Sequence, residues 1–202
     1  TSWPKTMPDL PHPTPTRAVR VAHAALHRWL LWVAVVLMGV PGLAQAEGLS
    51  NLNPCPEALA KTDARPLEDG EKWDVTLSPL TYHWNYNPEH RPVFLMAVDR
   101  HVAGDRFCGL ALFRNSFGQP AAYVYVGQQW KGILGQPQLF TKLSVGLIDG
   151  YRGKYQNKIP LNHYGIAPAV IPSIGYHVSP QDSFQLMLLG NAAILFAYAH
   201  TF

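Results

Sequence analysis

The sequence predicts an all-β protein: an eight-stranded antiparallel β-barrel of the outer-membrane type that follows a cleaved signal peptide. Three observations support this prediction. The chain ends in a strand of alternating large and small residues, its first part resembles an export leader, and eight strand-like runs separated by turn signals lie between them.

The final segment alternates with a period of two. Phe196, Tyr198 and His200 share one face, whereas Ala197 and Ala199 share the other. A period of two is typical of a strand. Bulky apolar groups on one side and small groups on the other suit a strand between lipid and a narrow bore. An edge strand of a soluble β-sandwich is the alternative.

The first part of the chain has the three regions of a secretory signal peptide. Arg17, Arg20 and Arg28 precede an apolar run over 29–43, and residues 44–46 read Ala-Gln-Ala, which fits a small-residue cleavage site. A membrane anchor is the alternative. The run is short for a spanning helix and contains both proline and glycine, which favours cleavage.

The predicted organisation has three parts. Residues 1–46 are an N-terminal extension and signal peptide, 47–72 are a periplasmic segment, and 73–202 are the barrel. The formal net charge of +3 resides in the leader, because the part from residue 47 onward holds 12 basic and 12 acidic residues. A nearly neutral chain without a nucleic-acid motif predicts no nucleic-acid partner. We expect a monomer without a cofactor or metal.

The barrel prediction depends on the count of strand-like runs. Gly, Pro, Asn and Asp mark most of the turns between them. Eight is the smallest strand number of outer-membrane barrels, and even counts are the rule in bacteria. The seventh run is short for a spanning strand. The runs are 73–86, 93–101, 107–115, 121–131, 138–151, 167–177, 183–189 and 192–202.

Strand parity predicts a cluster of polar residues at one rim. If both chain ends are periplasmic, the odd-numbered strands run outward, so His83, Asn115, Ser116 and Tyr151 gather near the outer headgroups. A histidine, a hydroxyl and an orienting group are the parts of an acyl-transfer site. The ordinary alternatives are an interfacial histidine and a turn serine.

The order of several segments resembles the lipid A palmitoyltransferase (PagP) family from about residue 73 to the end. Residues 80–84 resemble the family's first-strand segment with its essential histidine, and 91–92 resemble its Arg-Pro opening to the second strand. Residues 109–117 resemble the third strand, 166–176 the proline-rich sixth strand, and 195–202 the last strand.

This resemblance implies an enzyme of the Gram-negative outer membrane. It would transfer an acyl chain of the palmitoyl type from a phospholipid to a hydroxyl of lipid A, so its partners are phospholipid, lipid A and the bilayer. His83 and Ser116 match the family's catalytic residues. Asn115 stands where the family has aspartate, and an amide cannot stabilise an imidazolium by charge. Asp149 is another carboxylate on the same rim.

The missing aspartate leaves other functions open. A non-catalytic lipid-binding or structural barrel that retains the PagP-like fold is the main alternative. A lipid A deacylase that uses the same histidine and serine is a third possibility, although the order of the motifs argues against it.

The resemblance also implies an acyl-chain pocket and routes into it. Gly127 matches the glycine at the floor of the family's pocket, and Tyr123 and Tyr125 share its inward face. A glycine at a close backbone approach is the alternative.

Three prolines match the positions at which the family's barrel wall opens laterally to lipid, since proline cannot donate to a strand ladder. They are Pro92, Pro168 and Pro172. Strand beginnings are the alternative.

The sequence alone leaves open the roles of two further features, a set of basic residues and a pair of cysteines. Arg114, Arg152, Lys154 and Lys158 lie on the predicted outer rim, where they could bind phosphate or remain solvated. Cys55 and Cys108 lie in the exported part, where a disulfide is permitted, but the sequence leaves open whether they pair.

Overall fold

The chain forms a closed antiparallel barrel in which each strand pairs with its neighbours in sequence and β8 returns to β1. The structure is a computed structural model that describes residues 54–56, 59 and 72–202. The strands are β1 Lys72–His83, β2 Leu95–Val102, β3 Arg106–Arg114, β4 Pro120–Lys131, β5 Leu139–Asp149, β6 Ile166–His177, β7 Asp182–Leu189 and β8 Ala193–Thr201.

The predicted fold is confirmed, and all eight predicted runs correspond to strands. The main differences are at strand ends: β1 stops at His83 instead of continuing to residue 86, and β2 begins at Leu95 instead of at 93. Short 3-10 segments at Ile133–Gly135 and Gly153–Lys158 lie in two of the connections. The predicted leader over 1–46 lies outside the described residues.

The two faces of the wall differ as the alternation predicts. On β4 the inward Tyr123 is 3% exposed and the outward Val124 is 61% exposed. On β8 the small residues Ala197 and Ala199 are buried in the bore, and Phe196 is exposed on the outside. An apolar outside around a bore of small and polar side chains is the pattern of barrels that span a membrane.

Throughout, the upper half of the barrel means the half that contains His83, the turns 115–119 and 190–192, and the connection 150–165. The lower half means the half that contains Asp74 and the turns 103–105, 132–138 and 178–181. Within the described residues, no helix is long and apolar enough to cross a membrane.

The wall of the upper half is incompletely paired. β6 pairs with β7 only through Ser173–His177, so the stretch 166–172 has no ladder to β7 within the described residues. β1 pairs with β2 only up to Ser78, and its ladder with β8 has a β-bulge between Leu77 and Leu80. Both openings lie toward the same end of the barrel.

The two cysteines, which the sequence left undecided, form a disulfide. The Cys55–Cys108 bond joins the segment before the barrel to the outward face of β3. Both residues are buried in a small cluster with Val102. The disulfide thus attaches part of the 47–72 segment to the lower half of the barrel.

Candidate functional site

His83 and Ser116 meet at the upper end of the barrel. His83 is the last residue of β1, and Ser116 follows directly after β3 and Asn115. Because β1 and β3 run in the same direction, their ends reach the same rim. The His83 Nε2 and Ser116 Oγ atoms are 2.6 Å apart, a hydrogen bond in which either group can donate. This pair can transfer a proton between an imidazole and a hydroxyl.

A second histidine, which the sequence analysis did not identify, covers the first. The ring of His90 lies 4.2 Å from the ring of His83, centroid to centroid, and also contacts Phe117. His90 comes from the connection between β1 and β2, which folds back over the rim. The ring of His83 is therefore held by packing as well as by its hydrogen bond.

The hydrogen bonds of Asn115 run to the turn that carries Ser116 and not to His83. The side chain is 1% exposed, and its Oδ1 accepts hydrogen bonds from the backbone N–H groups of Phe117 and Gln119, each at 3.0 Å. Its Nδ2 donates to the backbone oxygen of Gly150 at 3.2 Å. Asn115 therefore holds the turn that carries Ser116 and joins it to the end of β5, instead of contacting His83.

The alternative carboxylate also points elsewhere. Asp149 is exposed and forms a 2.6 Å ion pair with Arg152. Among the described residues, no carboxylate makes a hydrogen bond to His83. The site is thus a histidine–hydroxyl pair without an acidic partner.

An apolar cavity of about 330 Å³ opens beneath the pair. This volume lies at the lower end of the range for small-molecule pockets. Its few polar groups, including His83, Ser116 and Lys158, are outnumbered by apolar ones. The apolar part includes Val93, Phe113, Ile148, Ile159, Val170 and Leu189. Such a lining suits a hydrocarbon chain whose polar end stays beside His83 and Ser116.

Of the three residues predicted to form the acyl-chain pocket, only Tyr123 lines this cavity. Tyr125 lies one step lower on β4 and donates its hydroxyl to Asp99. Gly127 lies lower still, and the space that a Cβ would need there is occupied by the ring of Phe107 and the backbone oxygen of Leu143. Gly127 therefore does not line this cavity in the structure, and its role as the floor of an acyl-chain pocket stays a prediction. It is a glycine at a close approach.

The three prolines lie beside the two openings in the wall. Pro168 and Pro172 are outward-facing on β6, in the stretch that has no ladder to β7, and Pro168 also lines the cavity. Pro92 lies next to Val93, a cavity-lining residue, at the opening between β1 and β2. The cavity is thus flanked by unpaired backbone on two sides.

The connections at the upper end are joined by charged and aromatic contacts. Lys154 forms a 2.6 Å ion pair with Glu89, and Tyr155 stacks on Phe117 at 4.3 Å. The hydrogen bond from Lys154 lowers the pKa of Glu89, and the same bond raises the pKa of Lys154. Burial raises the pKa of Tyr151 in the cavity wall. Three separate connections therefore form one cover over the cavity.

The lower half contains a buried charged cluster that the sequence analysis missed. The Nζ atom of Lys142 lies 3.0 Å from Asp74 and 3.6 Å from Asp99, and His101 bonds to Asp74 at 2.8 Å. Asp74, Asp99 and His101 could together offer ligand atoms to a metal ion, but the ammonium of Lys142 already supplies the positive charge there. The sequence signal that could have revealed this cluster is the presence of charged residues at inward positions of β1, β2 and β5.

Comparisons with known proteins show no family for this chain. No family model matches the chain, and no curated protein matches it. Among solved structures, a chain described under the de novo design of transmembrane β-barrels is similar, with a TM-score of 0.45 and 14% sequence identity. The match covers 70% of this chain and 98% of that chain.

Proposed function

We propose that this protein is an outer-membrane acyltransferase of the PagP type, which moves an acyl chain from a phospholipid to a hydroxyl of lipid A. The observation that carries the proposal is the 2.6 Å pair of His83 and Ser116 at the mouth of an apolar cavity. A base, a hydroxyl and a hydrocarbon pocket in one place are what acyl transfer between lipids requires.

The chemistry assigns one role to each group. The acyl chain occupies the cavity, so its ester carbonyl lies beside the pair. His83 takes the proton of the attacking lipid A hydroxyl, and Ser116 orients the imidazole or the acceptor through its hydrogen bond. When the tetrahedral intermediate collapses, the protonated imidazole returns that proton to the departing lysophospholipid oxygen.

The surroundings support lipid substrates in an outer membrane. Outward-facing residues such as Val124, Leu147 and Val170 are exposed apolar groups that suit contact with acyl chains. The unpaired stretches beside Pro92 and Pro168 provide two lateral routes from the bilayer to the cavity. Lys158, at the cavity mouth, can contact a phosphate.

One observation favours a second function, that of a non-catalytic lipid-binding barrel. The polar atoms of Asn115 hydrogen-bond to Gln119, Gly150 and the turn backbone, and no described carboxylate bonds to His83. An imidazolium formed during the reaction would lack the stabilisation that an acidic partner gives. Such a barrel would bind the same lipids without transferring a chain.

Mass spectrometry of lipid A from Gram-negative cells that express the full chain distinguishes the two functions. Transfer adds the mass of one acyl chain, and His83→Ala reduces the rate about a hundredfold to ten-thousandfold, because the base is lost. His163→Ala, an exposed histidine at the same end, is the matched control and leaves transfer unchanged. An unmodified lipid A profile under strong expression favours the binding function.

A further inference from the structure

The interior contains two cavities, one above the other. The upper one, of about 330 Å³, is the apolar cavity beneath His83, and the lower one measures about 40 Å³. Five residues line both, so they form the boundary between them, here called the neck. The neck consists of Leu95, Tyr123, Ile171, Leu189 and Leu195.

Tyr123 is the fixed member of the neck. Its hydroxyl lies 3.2 Å from Ser144 Oγ and 3.3 Å from the backbone oxygen of Ala169, and its ring stacks on Tyr125 at 4.6 Å. Tyr125 is in turn held by its hydrogen bond to Asp99. To swing Tyr123 aside, a ligand would have to break these contacts in a buried site.

The space below the neck is too small for a hydrocarbon chain, and although most of its lining is apolar, charged and amide groups also reach it. Asp99, Lys142 and Gln185 line it, and the Nε2 atom of Gln185 is buried without a hydrogen-bond partner among the described residues. A cavity of about 40 Å³ with several polar partners can hold water. An alkyl chain there would displace polar contacts and gain little room, which opposes its entry.

We propose that Tyr123, with the rest of the neck, sets the length of the acyl chain and that the protein selects medium-length chains, such as decanoyl, over palmitoyl. This inference rests on the proposed function for its substrate and on the two cavities for its geometry. On β3, the residue paired with Tyr123 is Ala111, four residues below Asn115, whereas the residue paired with Gly127 is Phe107, eight below. Four residues of strand span about 13 Å, which is roughly the extended length of a ten-carbon chain, so a chain that stops at Tyr123 is of medium length.

The test of the neck is a binding measurement that does not need catalysis. Native mass spectrometry of the refolded full chain with n-alkylphosphocholines from octyl to hexadecyl gives affinity against chain length. We expect affinity to rise up to about decyl and then to stop rising. The chain length at which affinity stops rising is called the break. Tyr123→Ala shifts the break to longer chains, and Leu195→Ala, which opens the other side of the neck, shifts it in the same direction.

Two controls make the result specific. Tyr82→Ala removes an exposed, outward-facing tyrosine and leaves the break where it was. Gly127→Ala also leaves the break in place, although it crowds Phe107. If Gly127→Ala shortens the preferred chain while Tyr123→Ala and Leu195→Ala do nothing, the neck does not set the length and the inference is overturned.

A parallel transfer assay separates this inference from the proposed function. The donors are phosphatidylcholines with decanoyl, lauroyl, myristoyl or palmitoyl chains, and lipid A is the acceptor. Preferred transfer of decanoyl supports both the acyltransferase function and the inference about the neck. Transfer that is fastest with palmitoyl supports the acyltransferase function and overturns the inference that the neck sets the chain length. If no donor gives transfer but affinity still stops rising at the same chain length, the acyltransferase function is overturned and the inference about the neck is supported.

Discussion

The upper and lower halves of the barrel differ in how their bore is filled and how their wall is paired. The upper bore contains an apolar cavity beside two stretches of unpaired wall. The lower bore contains a charged cluster around Lys142 and only a small cavity, and continuous ladders, such as those of β1 with β2 and of β7 with β8, pair the strands of its wall. The same strands thus enclose an apolar cavity at one end and a buried charged cluster at the other.

The difference indicates that the two ends of each strand serve different purposes, the lower end for stability and the upper end for the cavity. A cavity and unpaired backbone both lower stability locally, and binding regions are often the less stable parts of a protein. The lower half contains buried ion pairs, which are costly to break, and a disulfide. Substitutions in the lower half should therefore act on folding without changing lipid binding, whereas substitutions of apolar side chains in the upper cavity should act on lipid binding.

The largest effect on folding is expected from Lys142→Ala. It leaves the buried Asp74 and Asp99 without their cation, which should lower the free energy of unfolding by about 3–5 kcal/mol. Urea unfolding of the refolded barrel in detergent measures this. The matched control is Lys131→Ala, which removes an exposed 2.7 Å pair with Asp105 and should cost about 0–1 kcal/mol. Equal losses in the free energy of unfolding for the two variants would mean that the buried cluster stabilises the barrel no more than an exposed ion pair does.

Removing the disulfide should have the next largest effect. Replacing Cys55 and Cys108 by serine frees a loop with a sequence separation of 53 residues, and such a bond typically contributes about 2–4 kcal/mol. The same unfolding assay measures the loss, with wild-type protein under reducing conditions as a second comparison. Chain preference in the upper cavity should stay unchanged, and a shift in that preference would contradict the separation of the halves.

Asn115→Asp tests whether this side chain serves the turn or the chemistry. The carboxylate cannot donate to the oxygen of Gly150, so a buried acceptor loses its partner and the barrel loses about 1–3 kcal/mol. Asn191→Asp, an exposed substitution in the 190–192 turn, is the control and should be neutral. Higher transfer activity in Asn115→Asp would show instead that the carboxylate reaches His83.

The smallest effect is expected from Glu89→Gln, which breaks the exposed pair with Lys154 in the cover over the cavity. Such pairs contribute little to stability. The lowered pKa of Glu89 means that any contribution is present at neutral pH and is lost as the pH falls through that pKa. Unfolding measured at neutral and acidic pH should differ between wild type and variant only at neutral pH, and only slightly.

Much of the architecture could be predicted because it follows from short-range patterns. The period of two fixed the strands and their faces, as Val124 outside and Tyr123 inside illustrate. Parity then predicted that His83 and Ser116 would share a rim, since this needs only the number of strands between them. These inferences do not depend on the position of any side chain across the bore.

The details that the sequence could not supply all depend on contacts across the bore or across the wall. The pairing of Cys55 with Cys108 and the position of Phe107 beside Gly127 follow from how far neighbouring strands are shifted. The hydrogen bonds of Asn115 depend on the path of two loops. A sequence motif shows which residue is present, but it does not show which groups are hydrogen-bonded to its polar atoms.

The most direct measurement is a crystal structure of the refolded barrel with a decyl-chain phosphocholine. The account predicts an alkyl chain in the upper cavity, with its head group beside His83 and Ser116 and its last carbon against Tyr123. An alkyl chain bound only to the outer wall, or one that passes Tyr123 to reach the level of Gly127, would contradict it.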